Sequence, residues 1–170
     1  DSERYQTVYS KNPGSVAAPT AGLHFTDDVF KKLVEKKVTI AYVTLNVGLG
    51  TFRPVSVDDV SEHIMHSEKF EISEEDAKII EASRVEGKRI VAVGTTTVRT
   101  LESVMQMHGE IKSCSGETSI FINPGYEFKV VNALITNFHL PKSTLMMLIS
   151  AFVDRETILD TYKIAIEEEY

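Results

Sequence analysis

The sequence predicts an α/β fold, with a largely parallel sheet and flanking helices. Three observations lead there. Segments of helical period alternate with short β-branched runs, the pattern of βαβ connections. The 170 residues are 42% hydrophobic and 25% charged, ordinary for a folded globular chain able to bury its own core. Turn residues are spread evenly, with no internal repeat and no Ser/Pro-rich linker, so one continuous domain is expected.

The elements follow in order. Residues 1–22 have little periodicity and are broken by Pro13-Gly14 and Pro19, with a short strand predicted at Tyr5–Tyr9. Thr26-Asp27-Asp28 reads as a helix start, a capping hydroxyl followed by acids facing the helix dipole. Phe30, Leu33 and Val34 give that helix an apolar stripe. Val38–Val47 is β-rich and alternates poorly, so it reads as a buried strand. Ser73-Glu74-Glu75-Asp76 opens a second helix ending near Gly87, and Arg89–Val93 reads as a short buried strand. Gly94-Thr95-Thr96-Thr97 opens a third helix, with Val98, Leu101 and Met105 facing the core. A loop with Gly109 and Gly116 leads to a strand at Ser119–Ile122. Pro124-Gly125 suits a type II turn. Ala133–Thr136 is another strand. Ser143 starts a helix apolar nearly all round, and Asp154 caps a last amphipathic helix carrying Ile158, Tyr162 and Ala165.

Composition also excludes function classes. The longest nearly apolar run, Leu145–Val153, falls far short of the roughly 20 residues a membrane span needs, so no membrane partner is expected. One cysteine, Cys114, cannot close an intramolecular disulfide and suits a reducing compartment, so a cytoplasmic protein is expected. A net charge of −7 disfavours broad nucleic-acid binding, which would need a local patch or another part of the protein. The chain opens on Asp1 and closes on Glu167-Glu168-Glu169-Tyr170 within a helical pattern, as a piece of a longer protein would.

Parallel sheets place ligands at the carboxyl ends of their strands, which directs attention to the loops after Val47, Val93 and Thr136. Gly48-Leu49-Gly50-Thr51-Phe52-Arg53-Pro54 is not a dinucleotide loop, because Arg53 holds the third glycine position and Pro54 blocks an immediate helix. Its glycines let a backbone approach a ligand, and Arg53 suits a carboxylate or phosphate; a tight connection with a solvated arginine is the plainer reading. Val93-Gly94-Thr95-Thr96-Thr97 is a strand, a glycine and a helix N-terminus, where free amides favour an anion. Arg99 and Glu102 share a face of that helix; capping plus a surface ion pair would explain the same residues. Glu62-His63-Ile64-Met65-His66-Ser67-Glu68 lacks the usual zincin spacing, so no metal is expected, and His66 with Glu68 is the better candidate as an acid–base pair. Asn137-Phe138-His139-Leu140-Pro141-Lys142-Ser143 is a polar cluster between a strand and a buried helix. Lys142 opposes the helix dipole there unless an anion is bound. His24 is a further acid or base candidate. These residues alone describe an α/β enzyme for a small anionic or nucleotide-like ligand, with the reaction class open.

Taken together, several stretches resemble one family, the S-adenosylmethionine:tRNA ribosyltransferase-isomerases of queuosine biosynthesis. The resembling stretches are Tyr5–Tyr9, Gly14–Thr26, Val47–Val55, Glu62-His63, Met65–Glu68, Val93–Thr96, Val98–Glu102, Ile120–Ile122, Pro124–Tyr126 and Thr136–Leu145, in family order over nearly the whole chain. The resemblance implies a two-domain protein. One domain is α/β, a distorted barrel or three-layer sandwich, and a small β-barrel is inserted into it. Residues 1–170 would be the C-terminal part of the α/β catalytic domain, without the barrel. The implied reaction moves the ribosyl group of S-adenosylmethionine onto 7-aminomethyl-7-deazaguanine at the tRNA wobble position and isomerises it to epoxyqueuosine, releasing adenine and methionine. It also implies S-adenosylmethionine as co-substrate, no tightly bound cofactor, tRNA as partner and a monomer.

Under this resemblance His24, His66 and His139 are the acid–base candidates, with Glu68 as an orienting or basic partner. Arg53 or Arg99 would hold the methionine carboxylate, helped by the amides of Thr95 and Thr96. Gly48, Gly50, Thr51, Glu102, Asn137 and Lys142 complete the expected binding set. The sequence departs from the family pattern at Asn46, where His is usual, at Glu117, where Trp is common, at Asn132 for Asp, and at Val153-Asp154 for Ala-Gly. An S-adenosylmethionine methyltransferase would use the same anchors and give S-adenosylhomocysteine instead. A non-catalytic fragment that binds ligand or tRNA is the third reading.

Overall fold

The helix starts are set by side-chain caps. In the computed structural model, which describes residues 5–11, 14–15, 17–46, 65 and 67–170, Thr26 accepts the Val29 amide at the head of α1 (Asp27–Glu35). Ser73 does the same for Asp76 at the head of α2 (Glu74–Val85). Gly94 precedes α3 (Thr95–His108), Ser143 caps α4 (Thr144–Phe152), and Asp154 caps α5 (Arg155–Glu167). All five starts lie where the sequence places them. A short 3-10 helix, Thr20–His24, precedes α1.

The strands are shorter than their patterns suggest, because side chains take backbone donors that a ladder would need. The amide of Tyr42 goes to the Asp76 carboxylate at 2.7 Å, so of Val38–Val47 only β1 (Thr44–Asn46) pairs, and Val47 lies outside the described residues. The amide of Ile90 goes to the Asn132 side chain at 2.7 Å, and β3 (Val91–Val93) starts just after it. Tyr5–Tyr9 forms bends and a turn, not a strand; the Thr7 amide is bound by the Gln6 side chain. The ladder expected at Ser119–Ile122 is instead β4 (Cys114–Thr118), whose Gly116 lets the Phe70 ring lie close against its backbone.

These strands form two sheets. β1, β2 (Glu68–Ile72) and β4 are antiparallel, with Leu45 opposite Phe70 and Phe70 opposite Gly116. β3 and β5 (Ala133–Ile135) are parallel, Ala92 opposite Leu134. The chain is α/β, but the expectation of a largely parallel sheet is corrected: among the described residues the larger sheet is antiparallel. The physical sign was in β2, where Glu-Lys-Phe-Glu-Ile alternates strictly. Its Glu68, Phe70 and Ile72 are buried and its Lys69 and Glu71 exposed, the pattern of a sheet with one wet face.

α3 is the centre of the core. Val98, Leu101, Val104 and Met105 belong to one cluster with Phe70, Ile72, Ala92, Ile122, Val131 and Leu148. α3 is buried continuously from Val98 to Met105, so its polar residues Arg99, Thr100, Glu102 and Ser103 are buried as well. α4 packs Leu148 and Ile149 inward, and its Phe152 stacks on Phe128 at 3.9 Å between ring centres. Among the described residues no helix is long and apolar enough to cross a membrane.

The Thr100 hydroxyl is fully buried and has no hydrogen-bond partner among the described residues. A buried hydroxyl without a partner carries a desolvation cost that an isosteric methyl group does not. Thr100→Val is therefore expected to raise stability by about 1 kcal/mol, read as a higher midpoint in urea with an unchanged slope.

Candidate functional site

The parallel pair β3–β5 brings two chain segments to the same edge. At the end of β3, Gly94 takes φ +93°, a conformation that disfavours any side chain. Its amide donates to the Ile135 carbonyl at 2.9 Å, which carries the ladder one step further. The chain then turns directly into α3. Gly94 has no side chain to cap the helix, so the leading amides at Thr95 and Thr96 head a helix dipole without a side-chain cap. The Thr97 hydroxyl donates back to the Val93 carbonyl at 2.8 Å and fixes the turn.

At the end of β5 the loop Thr136–Lys142 carries Asn137 and His139. The Asn137 side-chain oxygen accepts from the Thr20 hydroxyl at 3.1 Å, and its amide nitrogen lies 3.5 Å from His24 Nε2. These contacts tie the 3-10 helix to the loop. That helix also approaches Tyr9 closely at Gly22, where a Cβ would lie 2.0 Å from the Tyr9 hydroxyl. His139 is half-buried, with Nε2 at 3.1 Å from the Thr136 hydroxyl. Burial lowers its pKa below the ordinary imidazole value, which favours the neutral ring at pH 7. Thr20, Thr95, Thr96, Asn137 and His139 line one cleft of about 1570 Å³. His24 lines a crevice of about 680 Å³ that shares Thr136, Asn137 and Phe138 with it.

Three predicted site residues lie elsewhere, in the interior. Arg99 donates through Nη1 to Glu68, and through Nε and Nη2 to the carbonyls of Ile120 and Thr118 at 3.2 and 3.4 Å. The two side chains are 3% and 1% exposed, so this is a buried ion pair joining α3 to β2. Burial pulls the Arg99 pKa down and Glu68 raises it again. The Ser103 and Thr118 hydroxyls are hydrogen-bonded beside it. Glu102 accepts the amides of Lys129, Val130 and Val131 at 2.9–3.0 Å and the Tyr126 hydroxyl at 3.2 Å. Arg99 and Glu102, expected in the binding set, thus belong to two separate buried networks, and the plainer alternative of a surface ion pair between them does not form either. Glu102→Ala would leave three amides without their acceptor. It is expected to destabilise the fold by at least about 3 kcal/mol, seen as a fall in the urea midpoint.

Lys142 is exposed with φ +56°, and Ser143 already caps α4 through the Met146 amide at 3.3 Å. Glu117, at the family's Trp position, binds the Ser67 hydroxyl at 2.6 Å and pairs with Lys69 on the outer face. Gly48, Gly50, Thr51, Arg53 and His66 lie outside the described residues. Sequence reasoning missed Thr20, Thr136 and Tyr162. The Tyr162 hydroxyl accepts the His139 amide at 2.8 Å, although in the sequence Tyr162 is only one apolar step of an amphipathic helix.

Comparison with known proteins bears on the fold and the family. The crystal structure of S-adenosylmethionine tRNA ribosyltransferase from Thermotoga maritima is similar, with a TM-score of 0.72 and 40% sequence identity. The match covers 88% of this chain and 47% of that one, so the chain spans about half the length of that protein. The family model for queuosine biosynthesis proteins matches residues 1–170. With its sequence matched from end to end, the chain belongs to the queuosine biosynthesis protein family.

Proposed function

We propose that residues 1–170 form the C-terminal part of the α/β catalytic domain of a cytoplasmic, monomeric S-adenosylmethionine:tRNA ribosyltransferase-isomerase. The observation that carries this reading is the convergence of Thr95, Thr96, Asn137 and His139 at the carboxyl ends of β3 and β5. The 40% identity to a protein described as an S-adenosylmethionine tRNA ribosyltransferase supports it. S-adenosylmethionine enters as co-substrate, and no resident cofactor is required.

In this reading the leading amides of α3, with Arg53, anchor the methionine carboxylate, and Asn137 meets the ribose hydroxyls. The sulfonium acidifies the adjacent C–H. A neutral, half-buried imidazole is suited to take that proton, which assigns His139 as base, with His66 as a further candidate. His24, exposed beside Asn137, assists adenine departure as acid. Glu68 and Arg99 act from the interior as positioning groups. The product is epoxyqueuosine in tRNA, with adenine and methionine released. Because the chain is acidic, most of the phosphate contacts to tRNA fall to other parts of the protein.

The test supplies the intact protein with ribose-labelled S-adenosylmethionine and tRNA carrying 7-aminomethyl-7-deazaguanine. Label in the tRNA with free adenine and methionine is the expected result. Label in S-adenosylhomocysteine would replace this reading with methyl transfer, and no turnover would remove catalysis altogether.

A further inference from the structure

The loop bearing Asn137 and His139 has little backbone support of its own. Among the described residues, no backbone-to-backbone hydrogen bond outside the helices and strands involves residues 137–142. The loop is held by side chains instead, and two of its consecutive residues meet the same one. The Tyr162 hydroxyl accepts the His139 amide at 2.8 Å. The Tyr162 ring meets Phe138 edge to face, 5.1 Å between centres at 88°. Phe138 is 56% exposed, so this aromatic contact fixes a side chain that solvent would otherwise leave mobile. Tyr162 also lines the smaller crevice together with His24 and Asn137.

We propose that Tyr162 is a positioning residue that sets the placement of the His139 imidazole by holding the loop backbone from α5. This rests on the assignment of His139 as base. The geometry is specific to a tyrosine. The ring packs on Phe138 while the oxygen accepts from the next residue's amide, so the loop is pinned on both sides of one peptide. The imidazole is then fixed from its own side by Thr136, at 3.1 Å. Burial lowers the His139 pKa, and the Tyr162 hydroxyl is bonded to its backbone amide. Burial raises the Tyr162 pKa, the His139 amide works against that, and the phenol stays protonated through the neutral range.

Tyr162→Phe keeps the ring and removes only the acceptor. In the intact protein it is expected to leave the melting temperature nearly unchanged and to lower kcat by about 10- to 100-fold, with KM for S-adenosylmethionine within about twofold. Two further readouts separate positioning from bulk structure. The His139 ring titration, followed by NMR, should move up toward the ordinary imidazole value as the loop loosens and water enters. In a His139→Gln background, Tyr162→Phe should cost nothing more, because the two act as one unit. An unchanged titration together with additive losses would overturn the proposal. If the unmutated protein shows no ribosyl transfer, the reaction reading fails, and the titration alone decides whether Tyr162 places the imidazole.

Discussion

His139→Gln is expected to lower ribosyl transfer by about 10²- to 10⁴-fold, the range lost when a positioned acid or base is removed. Glutamine keeps a polar group of similar reach near the Thr136 hydroxyl, so the loop and the melting temperature should change little. The loss should fall on kcat more than on KM, because proton transfer is made in the transition state and not in the bound ground state. The pH profile adds a second check with a fixed sign. Burial lowers the His139 pKa, so the neutral base persists below the usual imidazole range. The acid limb of kcat/KM should therefore lie below pH 6.5 in the unmutated protein and disappear in the variant. Stability follows the same sign. Well above the unfolded value the ring is uncharged in folded and unfolded chains alike. As pH falls below the unfolded value, the unfolded chain binds a proton that the folded one does not, and this contribution to stability is lost down to the folded pKa. Unchanged turnover in His139→Gln would take the residue out of the mechanism and pass the role of base to His66.

The helix starts were legible because capping is a local code. Thr26, Ser73, Ser143 and Asp154 each accept an amide three residues on, and nothing distant competes. The turn from β3 into α3 was legible for a related reason. A strand, a glycine at positive φ and a run of threonines at a helix start describe Val93–Thr97 without reference to the rest of the chain. The sheet was less legible, since the amides of Tyr42 and Ile90 are taken by Asp76 and Asn132, side chains 34 and 42 residues away. Helical spacing places Arg99 and Glu102 on one face but does not say whether that face is wet. α3 is buried continuously from Val98 to Met105, so residues read as ligand contacts, or as a surface ion pair, form two interior networks. Tyr162 was hidden for the opposite reason: its ring satisfies the amphipathic pattern, and its hydroxyl acts across 23 residues of sequence.

The second large effect is expected at the Glu68–Arg99 pair. Strict alternation in β2 puts Glu68 on the same inward face as Phe70 and Ile72, where a carboxylate needs a partner. Arg99 supplies it from α3, and its remaining donors reach the Ile120 and Thr118 carbonyls, a geometry that the point charge of lysine does not reproduce. Arg99→Met is expected to cost about 3–5 kcal/mol, because it strands a buried carboxylate. For a domain with about 5–15 kcal/mol of total stability this approaches unfolding, and the melting temperature should fall by roughly 10 °C or more. Combining it with Glu68→Leu removes the stranded charge and should recover most of the loss, whereas two independent structural defects would add. The same variants separate two roles for Arg99. A guanidinium holding the methionine carboxylate would raise KM for S-adenosylmethionine steeply in the restabilised double variant. A guanidinium held by Glu68 within the core leaves KM there near its original value. The second outcome is the expected one, since Arg99 is 3% exposed and its fork of donors already meets Glu68 and two carbonyls.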